Sequence, residues 1–85
     1  MPYFIYILKS QTAGKYYIGS SENPEIRLQF HNTMEKGFTS RYRPWEIVFC
    51  QQFESKTEAQ SAERKIKFWK SKKMVERLIS GEINI

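Results

Sequence analysis

Glu63 stands where a carboxylate is hardest to place. It lies four residues after Ala59 and three before Ile66, on what reads as the apolar stripe of a helix. An inward carboxylate is costly unless it is paired, hydrogen-bonded or bound to a cation. The flanking Ala59 and Ala62 leave room of the kind a metal ion with its water shell would need. Lys67, at i+4, offers an intrahelical ion pair instead, and position alone weighs the two evenly. Arg27 and His31, also four apart, share one face of another helix, where a guanidinium and an imidazole could hold a phosphate. A solvated helix face is the competing account of that pair. His31 has no second ligand at a metal-binding spacing. Tyr6 and Tyr17 fall on two strands of one hairpin. Whether they share a face depends on register, because a slip of one residue sends one of them to the other side. The alternative is a pair of core aromatics.

These residues need elements to position them. Tyr3–Lys9, Lys15–Ser20 and Trp45–Phe53 read as strands of one antiparallel sheet, the first apolar enough to be buried on both faces. Asn23-Pro24 is a good helix start, and Ile26, Phe30 and Met34 predict a core-facing stripe to about Glu35, with Lys36-Gly37 as the stop. Phe38–Pro44 reads as a polar, basic loop. Ser55 and Glu58 form a capping-box pattern opening a helix whose buried stripe is Ala59, Ala62, Ile66 and Trp69. Ser71 can cap a last helix with Met74, Val75, Leu78 and Ile79 inward, stopped by Gly81. The order is ββαβαα, an α/β chain of the α+β type, read as a single domain over residues 1–85.

With 85 residues, 40 % of them apolar and 15 % aromatic, the chain can build one small core and is not of disordered composition. Fourteen Lys and Arg against nine Asp and Glu give a net charge of +5, which favours a polyanion: nucleic acid first, an anionic membrane surface second. The one cysteine, Cys50, excludes an internal disulfide and a cysteine-based zinc cluster, and its apolar surroundings predict a buried thiol. No basic leader precedes a long apolar stretch, so the expectation is a cytoplasmic protein with no membrane role. Lys15, Arg41, Arg43, Lys65, Lys67, Lys70, Lys72 and Lys73 offer sequence-blind contacts to a nucleic-acid backbone. The interleaved Phe68, Trp69 and Tyr42 are expected in the core more than as stacking platforms.

Phe4-Ile5-Tyr6, followed eleven residues after its tyrosine by Tyr17-Ile18-Gly19, with Arg27 ten residues beyond Tyr17, resembles the GIY-YIG nuclease superfamily. The likeness extends to Arg27-x-x-x-His31 and to Ala62-Glu63-Arg64-Lys65-Ile66-Lys67. It is closest to small single-domain bacterial members, which resemble the N-terminal nuclease module of the bacterial excision-repair incision subunit. Phe4 stands in place of the first glycine of the family's name, and only Asn84 is present for the late polar residue of its more elaborate nucleases. The resemblance implies hydrolysis of a nucleic-acid phosphodiester, with DNA as the expected substrate and a role in repair or recombination. It implies one divalent cation, Mg²⁺ or Mn²⁺, with Glu63 as its ligand. Arg27 would neutralise charge on the phosphate, Tyr17 would act as base, and Tyr6 and His31 would orient water or phosphate. With no second domain to choose a target, action is expected to be structure-selective or directed by a protein partner. Two other classes stay open: a non-catalytic nucleic-acid-binding module, and an interaction protein whose basic face docks on an acidic partner.

Overall fold

β1, Tyr3–Ser10, is apolar at every position from Tyr3 to Leu8, and such a strand is stable only with both faces covered. It forms the middle of a three-stranded antiparallel sheet of order β2-β1-β3, with β2 at Tyr16–Ser21 and β3 at Trp45–Phe53. The computed structural model describes residues 2–33 and 37–85. Alternation sorts β1 between two cores. Ile5 and Ile7 pack against Ala59 and Ile66 of α3 (Lys56–Trp69) and Val75 and Leu78 of α4 (Lys72–Ser80). Tyr6 and Leu8 face the other way, with Trp45, Tyr17 and Leu28. Helix α1, Pro24–Thr33, supplies Leu28 to that second face. Ile5, Ile7 and Leu8 are fully buried, each contributing roughly 1.5–3 kcal/mol through the apolar surface it removes from water.

The expected order ββαβαα is found, with one addition. The segment read as a loop contains a single helical turn, α2, at Phe38–Arg41. Both the amide and the hydroxyl of Ser40 donate to the Gly37 carbonyl, which closes that turn locally. The caps fall where their side chains predict. Asn23 Oδ1 accepts from the Ile26 amide at 3.2 Å, Ser55 Oγ from Glu58 at 3.2 Å and Ser71 Oγ from Met74 at 3.2 Å. Gly81 ends α4 in the left-handed conformation. Between Ile7 and Leu8 the register to β3 shifts, Phe49 facing Ile7 and Ile47 facing Leu8, so Val48 is the extra residue of a bulge.

Two expectations about burial fail. The stripe Ile26–Phe30–Met34 is not the inward face of α1: Pro24 and His31 are buried, whereas Ile26 is 61 % exposed. The sheet face beneath α1 carries tyrosine hydroxyls, and the helix turns its polar residues toward them. Met34, with Glu35 and Lys36, lies outside the described residues. Cys50 is exposed, not buried. It pairs with Tyr6 on the face that α1 covers, but β3 is an edge strand, and the thiol there stays open to solvent. Among the described residues no helix is long and apolar enough to cross a membrane.

Candidate active site

The hairpin register settles the tyrosines. Tyr6 pairs with Gly19 and Leu8 with Tyr17, so Tyr6 and Tyr17 point to the same face of the sheet. Gly19 allows a closer arrangement than pairing alone. A Cβ there would stand 2.6 Å from the Tyr6 hydroxyl oxygen and 2.7 Å from Cζ, so the phenol lies directly over the glycine. β2 is an edge strand, so the Tyr6 ring lies across the outer strand of the sheet while staying buried.

α1 brings Arg27 and His31 onto that hydroxyl. Tyr6 Oη is 3.1 Å from His31 Nε2, and the Arg27 guanidinium also hydrogen-bonds it. Burial pushes the Tyr6 phenol above its ordinary range, partly offset by the Arg27 charge. Which of the two groups donates in the Tyr6–His31 bond is set by the His31 tautomer. The Tyr17 ring packs on His31 at 4.6 Å between centroids and on Trp45 at 6.4 Å. Arg27 also lies over the Phe30 ring, at 4.8 Å.

His31 is fully buried, and the backbone around it is clamped. Arg43 Nε donates to the His31 carbonyl at 2.7 Å. Asn32 and Trp45 bond reciprocally, the Trp45 amide donating to Asn32 Oδ1 at 2.7 Å and Asn32 Nδ2 to the Trp45 carbonyl at 3.1 Å. Arg43, expected as a nucleic-acid contact, thus has a tie of its own to the end of α1. No sequence periodicity marks the Asn32–Trp45 pair, which joins residues of two different elements.

Glu63 approaches from the opposite face. Ser20 pairs with Ile5 and so points toward α3, where its hydroxyl donates to Glu63 Oε1 at 2.6 Å. Lys67 Nζ sits 2.7 Å from Oε2, so the intrahelical ion pair forms. The Glu63 side chain is 19 % exposed, and its charge is felt at Tyr6. The five residues therefore gather around the β2 edge, four on one side of the sheet and Glu63 on the other. Ser20 was legible only as a strand residue, since its role appears once the register is known.

Among the described residues no group of three or more His, Cys, Asp or Glu could hold a metal ion. The remaining donor set is one carboxylate with a hydroxyl fixed beside it. That set fits Mg²⁺, which keeps most of its waters and takes few protein ligands, provided Oε2 exchanges the Lys67 ammonium for the ion.

The basic residues distribute unevenly. Lys15 lies over the Tyr42 ring at 5.5 Å and Lys72 over the Tyr16 ring at 5.9 Å. Lys15, Lys67, Lys70 and Lys72 border one pocket, whereas Lys73 faces a separate cavity beside Glu76 and Arg77. Arg41 is exposed on α2. Of the interleaved aromatics, Tyr42 and Trp69 pack against the cores as expected, but Phe68 is 81 % exposed. It lies on α3 between Lys67 and the core-packed Trp69, outside the inward arc of the helix.

Residues 2–76 match the family described as the GIY-YIG catalytic domain. A structure-specific endonuclease subunit, SLX1 of Phaeosphaeria nodorum, is 44 % identical over 51 residues, covering 54 % of this chain and 14 % of the fungal protein. A UPF0213 protein of Streptococcus pneumoniae is 37 % identical over 65 residues, 75 % of this chain and 65 % of that protein. The chain thus spans about a seventh of the fungal relative and just under two thirds of the streptococcal one. The solution structure of the UPF0213 protein BH0048 from Bacillus halodurans superposes with a TM-score of 0.60 at 28 % identity, covering 94 % of this chain and 84 % of that one.

Proposed function

The chain belongs to the GIY-YIG family, and we propose that it is a divalent-metal-dependent endonuclease acting on nucleic acid, DNA first, with selection by substrate structure or by a partner protein. The observation that carries this reading is the convergence of Tyr6, Tyr17, Arg27, His31 and Glu63 on one strand edge. The fungal relative's description as a subunit of a structure-specific endonuclease supports the same direction.

Arg27 binds the scissile phosphate and offsets the charge that builds on its oxygens in the transition state. Its place is fixed by Tyr6, so the guanidinium needs little reorganisation. Tyr6 and His31, both buried, would orient the phosphate and the water through Arg27 and Tyr17, which they touch. Tyr17, half-buried against His31, takes the proton that water releases. Glu63 would hold the cation, Mg²⁺ or Mn²⁺, whose chemistry when bound is to polarise the phosphate and stabilise the leaving oxygen. Ser20 orients the carboxylate for that purpose.

The test is cleavage by the purified chain of flapped, branched and single-stranded DNA and RNA, with Mg²⁺, with Mn²⁺ and with chelator. Metal-dependent cutting of at least one branched or flapped substrate is expected. A second reading, a binding module that does not turn over, is favoured by the Glu63–Lys67 ion pair. Tight binding of every substrate with no cutting under any divalent ion would establish it.

A further inference from the structure

Beside the catalytic edge lies a pocket of about 440 Å³ with two kinds of lining. Its floor is apolar, with Tyr16, Ile18 and Val75 among the lining residues, and its rim carries Lys15, Lys67, Lys70 and Lys72. Among the described residues no acidic side chain lines it. Two neighbouring carboxylates are already paired with lining residues: Glu76 Oε2 accepts from the Tyr16 hydroxyl at 3.2 Å, and Glu63 holds Lys67. The rim is built by the chain turn between two helices. Lys70 ends α3 in a left-handed conformation, φ 48°, and Ser71 caps α4 immediately after it, so two lysines flank the α4 N-terminus.

A bare phosphate would use the lysines and leave the floor unfilled. A purely apolar ligand would leave the cations without a counter-charge. We propose that this pocket is a nucleotide subsite that receives one unstacked nucleotide of the substrate strand, its base on the Tyr16–Ile18–Val75 floor and its phosphate among Lys70 and Lys72. The volume lies in the range of small-ligand sites. This deepens the reading of the protein as one that acts on nucleic acid and rests on it.

The geometry places the subsite next to the scissile bond. On α3, Lys67 lies one helical turn, about 6 Å, beyond Glu63. On β2, Ile18 lies two residues, about 6–7 Å, from Ser20 on the same face. A strand with its phosphate at the catalytic edge therefore runs its neighbouring nucleotide toward the pocket. A base held in a duplex stack cannot reach the floor, whereas an unpaired or frayed one can. The pocket thus supplies a physical reason for preferring flaps and branches over continuous duplex.

The test is an amide NMR titration of the full chain in EDTA with thymidine 5′-monophosphate, and separately with inorganic phosphate and thymidine. The nucleotide should shift the amides of Gly14, Tyr16, Ser71 and Lys72 and bind at least fivefold more tightly than either fragment. Tyr16→Ala should abolish the advantage over phosphate. Should that variant unfold, Lys70→Ala with Lys72→Ala should weaken nucleotide binding at least fivefold on an intact fold. The proposal is overturned if shifts centre on Tyr17 and Arg27, if phosphate binds as tightly as the nucleotide, or if no pocket amide moves. Any of these outcomes alongside metal-dependent cleavage would remove the subsite and leave the nuclease. Pocket shifts with no cleavage would keep the subsite and point to the binding module.

Discussion

The proton of Tyr6 links stability to chemistry at the scale of one residue. Burial raises this phenol above its ordinary 10.0, with Arg27 pulling the other way. Between pH 10 and the folded value the native chain holds a proton that the unfolded chain has lost. The contribution is therefore fully present below about pH 10 and disappears as pH rises through the folded value. Tyr6→Phe removes the bond to His31 and should cost about 1 kcal/mol at pH 7. Urea unfolding at pH 8 and pH 11 should show wild type losing more stability over that interval than Tyr6→Phe, and equal losses would contradict the assignment. Tyr17 is the base in the proposed reaction. Tyr17→Phe should lower cleavage by roughly 10²- to 10⁴-fold while leaving nucleic-acid affinity intact. Unchanged cleavage by that variant would move the base elsewhere.

At the scale of elements, the site depends on how β2 presents its two faces. Gly19 lets the Tyr6 ring cross the strand, so Gly19→Ala must displace a fully buried phenol held by Arg27 and His31. A loss of roughly 1–3 kcal/mol in denaturant unfolding is expected, together with loss of cleavage. A variant as stable and active as wild type would show that Tyr6 does not need that approach. The strands, the caps and the two inward stripes of α3 and α4 were legible from alternation, Ser and Asn placement and period 3.6, because each is a local rule. The rotation of α1 was not, since Ile26, Phe30 and Met34 satisfy the helical period as well as Pro24, Leu28 and His31 do. What chose between them was a sheet face bearing tyrosine hydroxyls, a tertiary fact. Cys50 misled for the same reason: an apolar run does not reveal which strand lies at the edge of the sheet.

The charge of the whole molecule is organised as well as positive. The net charge is +5, and Lys15, Lys67, Lys70 and Lys72 converge on one pocket beside β2. Counterion release then predicts an affinity for nucleic acid that falls steeply with salt. Lys70→Ala with Lys72→Ala should flatten the log–log slope by about one to two units. Affinity indifferent to salt would make these lysines solubility charges. Composition pointed to a polyanion without saying where it would lie, because the convergence joins the β-hairpin turn to the α3–α4 junction, more than fifty residues away in the chain.

The most direct measurement compares Glu63→Gln and Arg27→Ala for cleavage and for binding on the same flapped DNA. Glu63→Gln keeps nearly the same volume, can still accept from Ser20 and removes a negative charge facing the phosphate. It should bind without metal as tightly as wild type or more so, yet cut several orders of magnitude more slowly, because the lost stabilisation belongs to the transition state. Arg27→Ala should lose cleavage and phosphate affinity together. Cutting by Glu63→Gln at the wild-type rate would contradict the account and leave Glu63 as the ion-pair partner of Lys67.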